Sequence, residues 1–573
     1  MFGRRKKKYG IDPEEILIDA SNLPEFNTHQ MEGQFEKPLS QKTTLVISIF
    51  CALVGGIFLF RLWTLQIIAG AAYASESEEN RLTHELIFTD RGIITDRTGT
   101  PLAWNTANDS ETANDSEADF FSLREYKDQK GISHLLGYVS YPKKDTGGFY
   151  YQTDTIGIEG LEEYYNVIIG GKNGLKITET NALGEHISES VIRAPKNGAN
   201  ITLSIDARIQ HVWYGMMEKL ANSNGFGGGA GVIIDVSDGS VLAAVNYPEY
   251  DSNVLVSGAR GDTIAEYVSD PKKPFLNRVI AGLYTPGSIV KPFIALAALT
   301  ENIITPEKEI ESTGSISLPH PYIPETFSVF TDWKAHGFVD MRKALAVSSN
   351  VYFYEVGGGF KEQPGLGIER MESYLRRFGI GSETGIDLGG GTVGVIPNPR
   401  WKKETFNGEQ WRIGDTYNTA IGQYGFQVTP IEMARAVAVI ANGGMLVTPH
   451  LNKNSSPPAQ NITGGILPEA FQVVREGMRD AVRSGTAKGL DIPEIAIGAK
   501  TGTAEWGGKQ FVNSWVIGFF PYENPKYAFA TVMEKGPRDN TIGALFIMRE
   551  LFRWMSTETP EYLQKNNSID YQI

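Results

Sequence analysis

Cysteine is almost missing: Cys51 is the only one in 573 residues. That shortage excludes an intramolecular disulfide, a multi-thiolate zinc site and an iron–sulfur cluster. A surplus of positive charge is missing too, because 53 Lys and Arg stand against 67 Asp and Glu, for a net charge of −14. A chain with this balance is not built to coat nucleic acid or an anionic membrane surface. None of the eight His forms a His-Glu-x-x-His motif, no Gly-x-Ser-x-Gly elbow is present, and the glycines of 379–385 follow a helical pattern where a nucleotide loop would follow a strand. Metalloprotease, α/β-hydrolase and nucleotide-binding readings lose their support. Glycine itself is plentiful, at 62 residues, which points to many turns and close backbone approaches. Gly227-Gly228-Gly229 reads as a linker ahead of a strand.

Long hydrophobic runs are also scarce, with one exception near the N-terminus. Between Lys42 and Arg61 lies a charge-free stretch, TTLVISIFCALVGGIFLF, which continues after Arg61 as LWTLQII. It is long enough to span a bilayer if Arg61 snorkels and Trp63 sits at the interface. A cleaved signal peptide ending at Ala72-Tyr73-Ala74 is the rival reading, but some 42 residues ahead of the apolar run far exceed a normal n-region. The block Arg4-Arg5-Lys6-Lys7-Lys8 marks the N-terminal side as cytoplasmic by the positive-inside rule. These features predict a cytoplasmic tail over 1–43, a transmembrane helix over 44–68 and an extracytoplasmic remainder free of Cys.

After the span, Arg91-Gly92 and Asp96-Arg97-Thr98-Gly99 bracket a short apolar run that reads as strand and turn. The segment Ala107–Ala118 holds the same five letters twice, a polar acidic repeat expected to form an exposed loop or linker. From there to Asn200 no period is sustained, as in a non-catalytic module. From Ile201 the pattern sharpens. ITLSI alternates like a strand, Asp206 is placed to cap a helix, and AGVIIDV and SVLAAVNY flank the turn Ser237-Asp238-Gly239 as a hairpin. A second hairpin is predicted at Ser514–Phe520 and Tyr527–Glu534, with helices at Leu366–Phe378, Ile431–Asn442 and Ala544–Met555. Strands at both ends with helices between them predict an α+β domain with a mainly antiparallel sheet. The expected domains are a pedestal over 69–200, a second domain over 201–555 and a C-terminal tail over 556–573.

Ser-x-x-Lys occurs three times, at Ser140–Lys143, Ser269–Lys272 and Ser288–Lys291. In the first two, Pro stands immediately before Lys and disfavours the helical turn that would bring the pair together, so both are expected in surface loops. Ser288 follows Thr285-Pro286-Gly287 and opens IVKPFIALAALTENII, an apolar run of helical length. There Ser and Lys would be neighbours. A serine hydroxyl becomes a good nucleophile only when a base takes its proton, and Lys acts as that base only when burial or a second cation has lowered its pKa. Further roles fall to Ser348-Ser349-Asn350 and to Lys500-Thr501-Gly502-Thr503, which follows the strand-like EIAIGA. The N–H groups of Ser288 and Thr503 are the expected oxyanion hole.

In this order the three motifs are the signature shared by class A β-lactamases and penicillin-binding proteins. With RGIITDRTGTPLAWN, LLGYVSYP, GIEGLEEYY, YTPGSIVKPF, the Gly414–Gly444 block, AKTGTAEW and NSWVIGFFPYENPKYAFA, the chain resembles a class B penicillin-binding protein. The Gly-Asp-Thr-Tyr-Asn block and Asp332-Trp333-Lys334 favour the elongation type over the division type. The resemblance covers nearly everything from Leu45 to Met555. It implies a penicillin-binding, serine β-lactamase-like transpeptidase domain on an extended pedestal, anchored by one transmembrane helix.

The implied activity is peptidoglycan D,D-transpeptidation. By that resemblance Ser288 attacks a D-Ala-D-Ala carbonyl of the donor stem peptide and Lys291 takes its proton. Ser348 relays a proton to the leaving amine, and Asn350 holds the acyl-peptide amide. Lys500, Thr501, Gly502 and Thr503 form the subsite for the terminal carboxylate. A neighbouring stem's amine resolves the acyl-enzyme, whereas a β-lactam leaves it stalled. The implied partners are a SEDS-type glycosyltransferase and other elongation-complex proteins, with no nucleic acid. Some members of the type hold structural zinc near Ser-x-Asn with Asp, His and Cys; here Asp332 and His336 are present but no Cys lies outside the span, so no metal and no cofactor are expected. The pedestal is short between Asn105 and LLGYV, where relatives carry a longer insertion. Two other readings stay open: a membrane-bound β-lactamase or D,D-carboxypeptidase, which would need a deacylating base, and a non-catalytic scaffold that activates a partner glycosyltransferase.

Overall fold

The computed structural model describes residues 40–108, 121–180, 186–258, 261–319, 323, 325–506 and 510–563. The basic block Arg4–Lys8, most of the acidic repeat and most of the C-terminal tail lie outside them. The chain divides into two compact units, residues 1–83 with 178–188 and residues 84–177 with 189–573. In the first, the Ser40 hydroxyl accepts from Thr43 N–H and caps α1 (Gln41–Trp63), which a wider helical turn, Thr64–Ile68, prolongs. Residues 41–68 are long and apolar enough to cross a membrane, and no residue of α1 is buried. Ala72–Ala74 lies inside a further helix, α2 (Gly70–Arg81).

The second unit begins with short strands β1 (Ile94–Thr95), β2 (Pro101–Thr106) and β3 (Leu123–Tyr126). With β4 (Ile201–Thr202) they form a sheet in the order β4-β1-β2-β3, so the pedestal sheet takes in the strand expected to open the next domain. Asp206 caps α3 (Ala207–Asn224) through Arg208 N–H, and Gly225 ends it in the left-handed region. Strands β5 (Gly228–Asp235) and β6 (Val241–Tyr247) follow as an antiparallel hairpin. The helical half contains α4 (Lys291–Thr300), α5 (Met341–Val347), α6 (Asn350–Gly358), α7 (Pro430–Asn442) and α8 (Pro468–Arg483). In α7 the chemistry is local: Thr429 and Glu432 close a capping box, Pro430 opens the first turn and Gly443 ends the helix. The last elements are β7 (Gly498–Trp506), β8 (Phe511–Phe520), β9 (Tyr527–Pro537) and α9 (Ala544–Glu558), which runs past the 555 boundary expected above.

Five strands form the central antiparallel sheet in the order β6-β5-β9-β8-β7. Both faces are covered. Val232 and Ile234 of β5 enter the core shared with α4 and α7, whereas Ile233 enters the core shared with Trp213 of α3 and Phe552 of α9. Burial on both faces explains why β5 reads as an unbroken apolar run.

Two sequence expectations change here. Gly228 and Gly229 are not linker but strand: a Cβ at Gly228 would stand 2.8 Å from Arg278 Nε and from Glu534 Oε1, and one at Gly229 would stand 2.5 Å from Met533 Sδ. The strand expected at EIAIGA begins only at Gly498 and carries Lys500–Thr503 itself. Its ladder partner β8 ends at Phe520, just beyond the Gly498–Phe519 pair, so the residues before Gly498 have no strand to pair with. Ile492, Ile495 and Ile497 are buried outside the ladder.

Candidate active site

Strand β7 is the edge of the central sheet, and the turn Gly287–Val290 packs against its open side. That turn is held from two directions: Gly287 N–H donates to Gly422 O at 2.9 Å, and the Trp515 indole N–H donates to Thr285 O at 3.1 Å. Gly287 has φ 59° and a Cβ there would stand 2.9 Å from Thr503 O, so only glycine fits. The N–H and C=O of a strand residue point to the same edge. With Thr503 O directed at Gly287, Thr503 N–H faces the same side as Ser288.

Ser288 lies on this 3₁₀ turn, one step before α4 rather than within it. Among the described residues its hydroxyl has no hydrogen-bond partner, and no bond joins it to Lys291. Lys291, the first residue of α4, is fully buried and donates instead to Ser348 O at 2.8 Å, to Asn350 Oδ1 at 2.8 Å and to Ser348 Oγ at 3.4 Å. Burial brings its pKa down to about 7 against the opposing pull of the Asp332 carboxylate. From the other side Lys500, also fully buried, donates to Ser348 Oγ and to Thr501 O, both at 2.8 Å. Burial first, and the Lys291 charge second, hold its pKa well below the usual lysine range. Two lysines thus share one serine hydroxyl.

Ser348 reaches this position because it ends α5 in the left-handed region, with φ 61°. Ser349 then caps α6, its Oγ accepting from Tyr352 N–H at 3.3 Å. The turn is anchored by the buried Asp332 side chain, whose Oδ2 accepts from Ser349 Oγ at 2.8 Å, Val351 N–H at 3.0 Å and Ser312 Oγ at 3.1 Å. Asn350 Nδ2 donates to Thr331 O at 3.4 Å.

Asp332→Ala strips the acceptor from four donors, among them Trp333 N–H, which donates to Oδ1 at 2.9 Å, and is expected to cost about 3 kcal/mol of stability. Denaturant unfolding measures it, and acylation of the folded remainder should slow because Ser348 and Asn350 lose their anchor. His336 Nε2 stands 3.7 Å from Asp332 Oδ1, beyond hydrogen-bond reach. Asp332 is already engaged, and among the described residues no group of three His, Cys, Asp or Glu could hold a metal ion. The pair does not fit the zinc centre of some members of the type.

A cleft of about 500 Å³ opens over these groups, lined by Ser288, Ser348, Asn350, Thr501, Gly502 and Thr503. The two lysines lie beneath it. All the predicted site residues therefore meet, although Ser288, Ser348 and Lys500 are separated by 60 and 152 positions in sequence. The other two Ser-x-x-Lys pairs stay apart from the cleft, but not as loops: Ser140 ends a short strand, and Ser269 ends a helix with its Oγ bonded to Ala265 O at 2.8 Å.

Sequence reasoning missed Thr486, Gln423 and Trp333, which also line the cleft. Thr486 Oγ1 accepts from Thr501 Oγ1 at 2.7 Å and so fixes a side chain that lines the cleft. Neither Thr486 nor Gln423 carries a local signal; Trp333 stands in a triplet noted only as a marker of type.

Comparison with known proteins follows the same lines. A profile of the penicillin binding protein transpeptidase domain matches residues 229–551, and one of the penicillin-binding protein dimerisation domain matches residues 117–203. The peptidoglycan D,D-transpeptidase MrdA of Salmonella typhimurium strain LT2 is 30% identical over 600 residues, spanning 87% of this chain and 93% of its own. That of Haemophilus influenzae is 27% identical over 651 residues, spanning 95% and 96%. Among solved structures, the complex between penicillin-binding protein PBP2 and MreC from Helicobacter pylori aligns with TM-score 0.69 at 28% identity, covering 83% of this chain and 98% of that one. Pseudomonas aeruginosa PBP2 in complex with WCK 5153 aligns with TM-score 0.66 at 29% identity, covering 84% and 100%.

Proposed function

This chain belongs to the penicillin-binding protein transpeptidase family and is a peptidoglycan D,D-transpeptidase of the elongation type, and from that premise we propose that Ser288 is its acyl-accepting nucleophile. The observation that carries the assignment is the convergence of three distant motifs on one cleft, with two buried lysines joined through Ser348. Ser288 Oγ attacks the carbonyl carbon of the penultimate D-Ala, and its proton passes to neutral Lys291. Loss of the Ser288 proton needs the lysine to turn from its resting partners, as catalytic hydrogen bonds commonly tighten only around substrate. The oxyanion is held by the N–H groups of Ser288 and Thr503. Collapse breaks the amide C–N bond, and the departing D-Ala nitrogen takes a proton through Ser348. Lys500, Thr501 and Thr503 bind the terminal carboxylate, and Asn350 the amide of the acyl residue. An acceptor amine then attacks the ester and restores Ser288.

The position of β7 at the edge of the sheet supports this pose, because an extended peptide can add there as a further strand. We further propose that residues 69–200 form the pedestal and 201–555 the catalytic domain. In this reading the N-terminal tail lies in the cytoplasm and the catalytic domain outside, which the Arg4–Lys8 block supports by the positive-inside rule. The partners proposed are a SEDS-type glycosyltransferase and an MreC-like protein.

The test uses the full chain in detergent with a D-Ala-D-Ala stem peptide, with and without an added amine acceptor. Release of D-Ala with transfer of the acyl group to the amine, and a fluorescent penicillin adduct stable over the same period, are expected. Rapid loss of the adduct would move the reading to a β-lactamase, hydrolysis alone to a carboxypeptidase, and no D-Ala release to a scaffold.

A further inference from the structure

The cleft has more wall than the donor stem uses. In the pose above the donor engages Thr501 and Thr503 on β7, Ser288 and Asn350, whereas Trp333 and Thr486 line the same cleft without a part in it. Both are tied to the end of α5, the turn that presents Ser348. The Trp333 indole N–H donates to the carbonyl of Val347, the residue before Ser348, at 3.2 Å. Thr486 N–H donates to Ala346 O at 3.0 Å, and its Oγ1 accepts from Thr501 Oγ1 at 2.7 Å.

Among the described residues three aromatic rings line the cleft: Phe226 and Trp515 are buried, and Trp333 is 60% exposed. The exposed ring is nonetheless held. Besides its bond to Val347, it meets the His336 ring edge-on with 5.0 Å between centroids, and Lys334 Nζ stands 5.7 Å from its centre. A large apolar ring that is fixed but uncovered buries much area on contact with a ligand and loses little freedom in doing so.

The two halves of transpeptidation say which ligand comes to this side. In the first, the D-Ala nitrogen leaves the acyl carbon and takes a proton through Ser348. The second is the same exchange run backwards with another amine. Its nitrogen lone pair forms the new C–N bond, the ester C–O bond to Ser288 Oγ breaks, and the amine proton returns through Ser348 and Lys291 to Ser288 Oγ. The attacking nitrogen therefore takes the place that the D-Ala nitrogen left, on the Ser348 side of the acyl carbon. An amine at the tip of a stem's side chain is carried on methylenes, and methylenes pack well on an aromatic face. Water reaches the same carbonyl without touching the ring, so such a contact favours transfer over hydrolysis. We propose that Trp333 is the acceptor-binding residue of this transpeptidase, its exposed indole taking the amine-bearing side chain of the acceptor stem beside Thr486, an assignment that rests on the transpeptidase reading above.

The experiment follows the fate of one acyl-enzyme. The full chain in detergent is given a D-Ala-D-Ala stem peptide whose own side-chain amine is acetylated, with one of two acceptors. These are a tripeptide stem with a free side-chain amine, and hydroxylamine, which is too small to cover the indole. Transferred and hydrolysed products arise from the same intermediate, so their ratio is independent of the folded fraction and of the acylation rate. Trp333→Gln keeps a side-chain N–H donor but loses the ring, and is expected to lower the stem ratio about tenfold or more while the hydroxylamine ratio moves less than about threefold. Trp333→Phe keeps a ring without the N–H and should hold the stem ratio within about threefold of wild type. A Trp333→Gln protein that keeps the wild-type stem ratio, or that loses both ratios equally, would overturn the proposal. So would a stem ratio lost in Trp333→Phe and kept in Trp333→Gln, which would reduce Trp333 to a support for the Ser348 turn. In each of these cases wild-type transfer leaves the transpeptidase reading intact, whereas a wild-type protein that releases D-Ala but transfers to neither amine would overturn both.

Discussion

Ser288→Ala is expected to abolish covalent labelling by penicillin and to lower D-Ala release on the order of 10⁴-fold or more, while the protein stays folded. The activity loss follows from chemistry, since an acyl-enzyme needs an oxygen to carry it. The retained fold follows from geometry. The Ser288 hydroxyl makes no hydrogen bond among the described residues. Its turn is kept in place by backbone bonds, Gly287 N–H to Gly422 O at 2.9 Å among them, that Ala also allows. Stability should therefore stay within about 0.5 kcal/mol of wild type, as at a site free of such features. Intact mass gives the readout directly, as one penicillin adduct on wild type and none on the variant. Ser269→Ala and Ser140→Ala should keep the adduct, because neither residue lines the cleft. An adduct that survives in Ser288→Ala, or vanishes in Ser269→Ala, would place the nucleophile elsewhere.

What the sequence made legible was mostly local. The hairpin through Ser237-Asp238-Gly239 and the Asp206 cap are written in neighbouring residues, and they form as read. The sheet order is not local: β5 lies between β6, its hairpin partner, and β9, where Val232 pairs with Ala530 across almost 300 residues. No periodicity encodes that pairing. The candidate site residues were legible because their motifs are short and ordered, yet their arrangement differs in one respect from the expected helical Ser–Lys pair. Lys291 rests on Ser348 and Asn350, and the buried Asp332 that secures Ser349 was read only as part of a type-marking triplet and of an incomplete zinc set. Its importance comes from burial, which cannot be read from a loop sequence.

Burial also sets the chemistry of the proposed base, Lys291, and this leads to the second large effect. Lys291→Met keeps the apolar stem but removes the amine, and should slow acylation by penicillin and by stem peptide about 10³-fold, within the range general bases contribute. In the wild type, Lys291 accepts a proton only when neutral, and burial has brought its pKa to about 7. Acylation should therefore rise with pH through about 7 and level off above it, roughly tenfold slower one unit below the midpoint. The rising limb belongs to the coupled pair, since Lys291 and Lys500 meet at Ser348 and do not ionise independently. Asp332 pulls the other way, so Asp332→Asn should shift the limb toward acid, which a merely structural role would not do.

The same shift has a stability signature. The folded pKa lies below the ordinary 10.5 of lysine, so between the two values the unfolded chain binds the extra proton and the folded one does not. Stability contributed by this group rises with pH across that window. The melting temperature of wild type relative to Lys291→Met should climb between pH 7 and 9. A pH-independent acylation rate across 6 to 8, with Lys291→Met still acylating at the wild-type rate, would remove Lys291 from the mechanism.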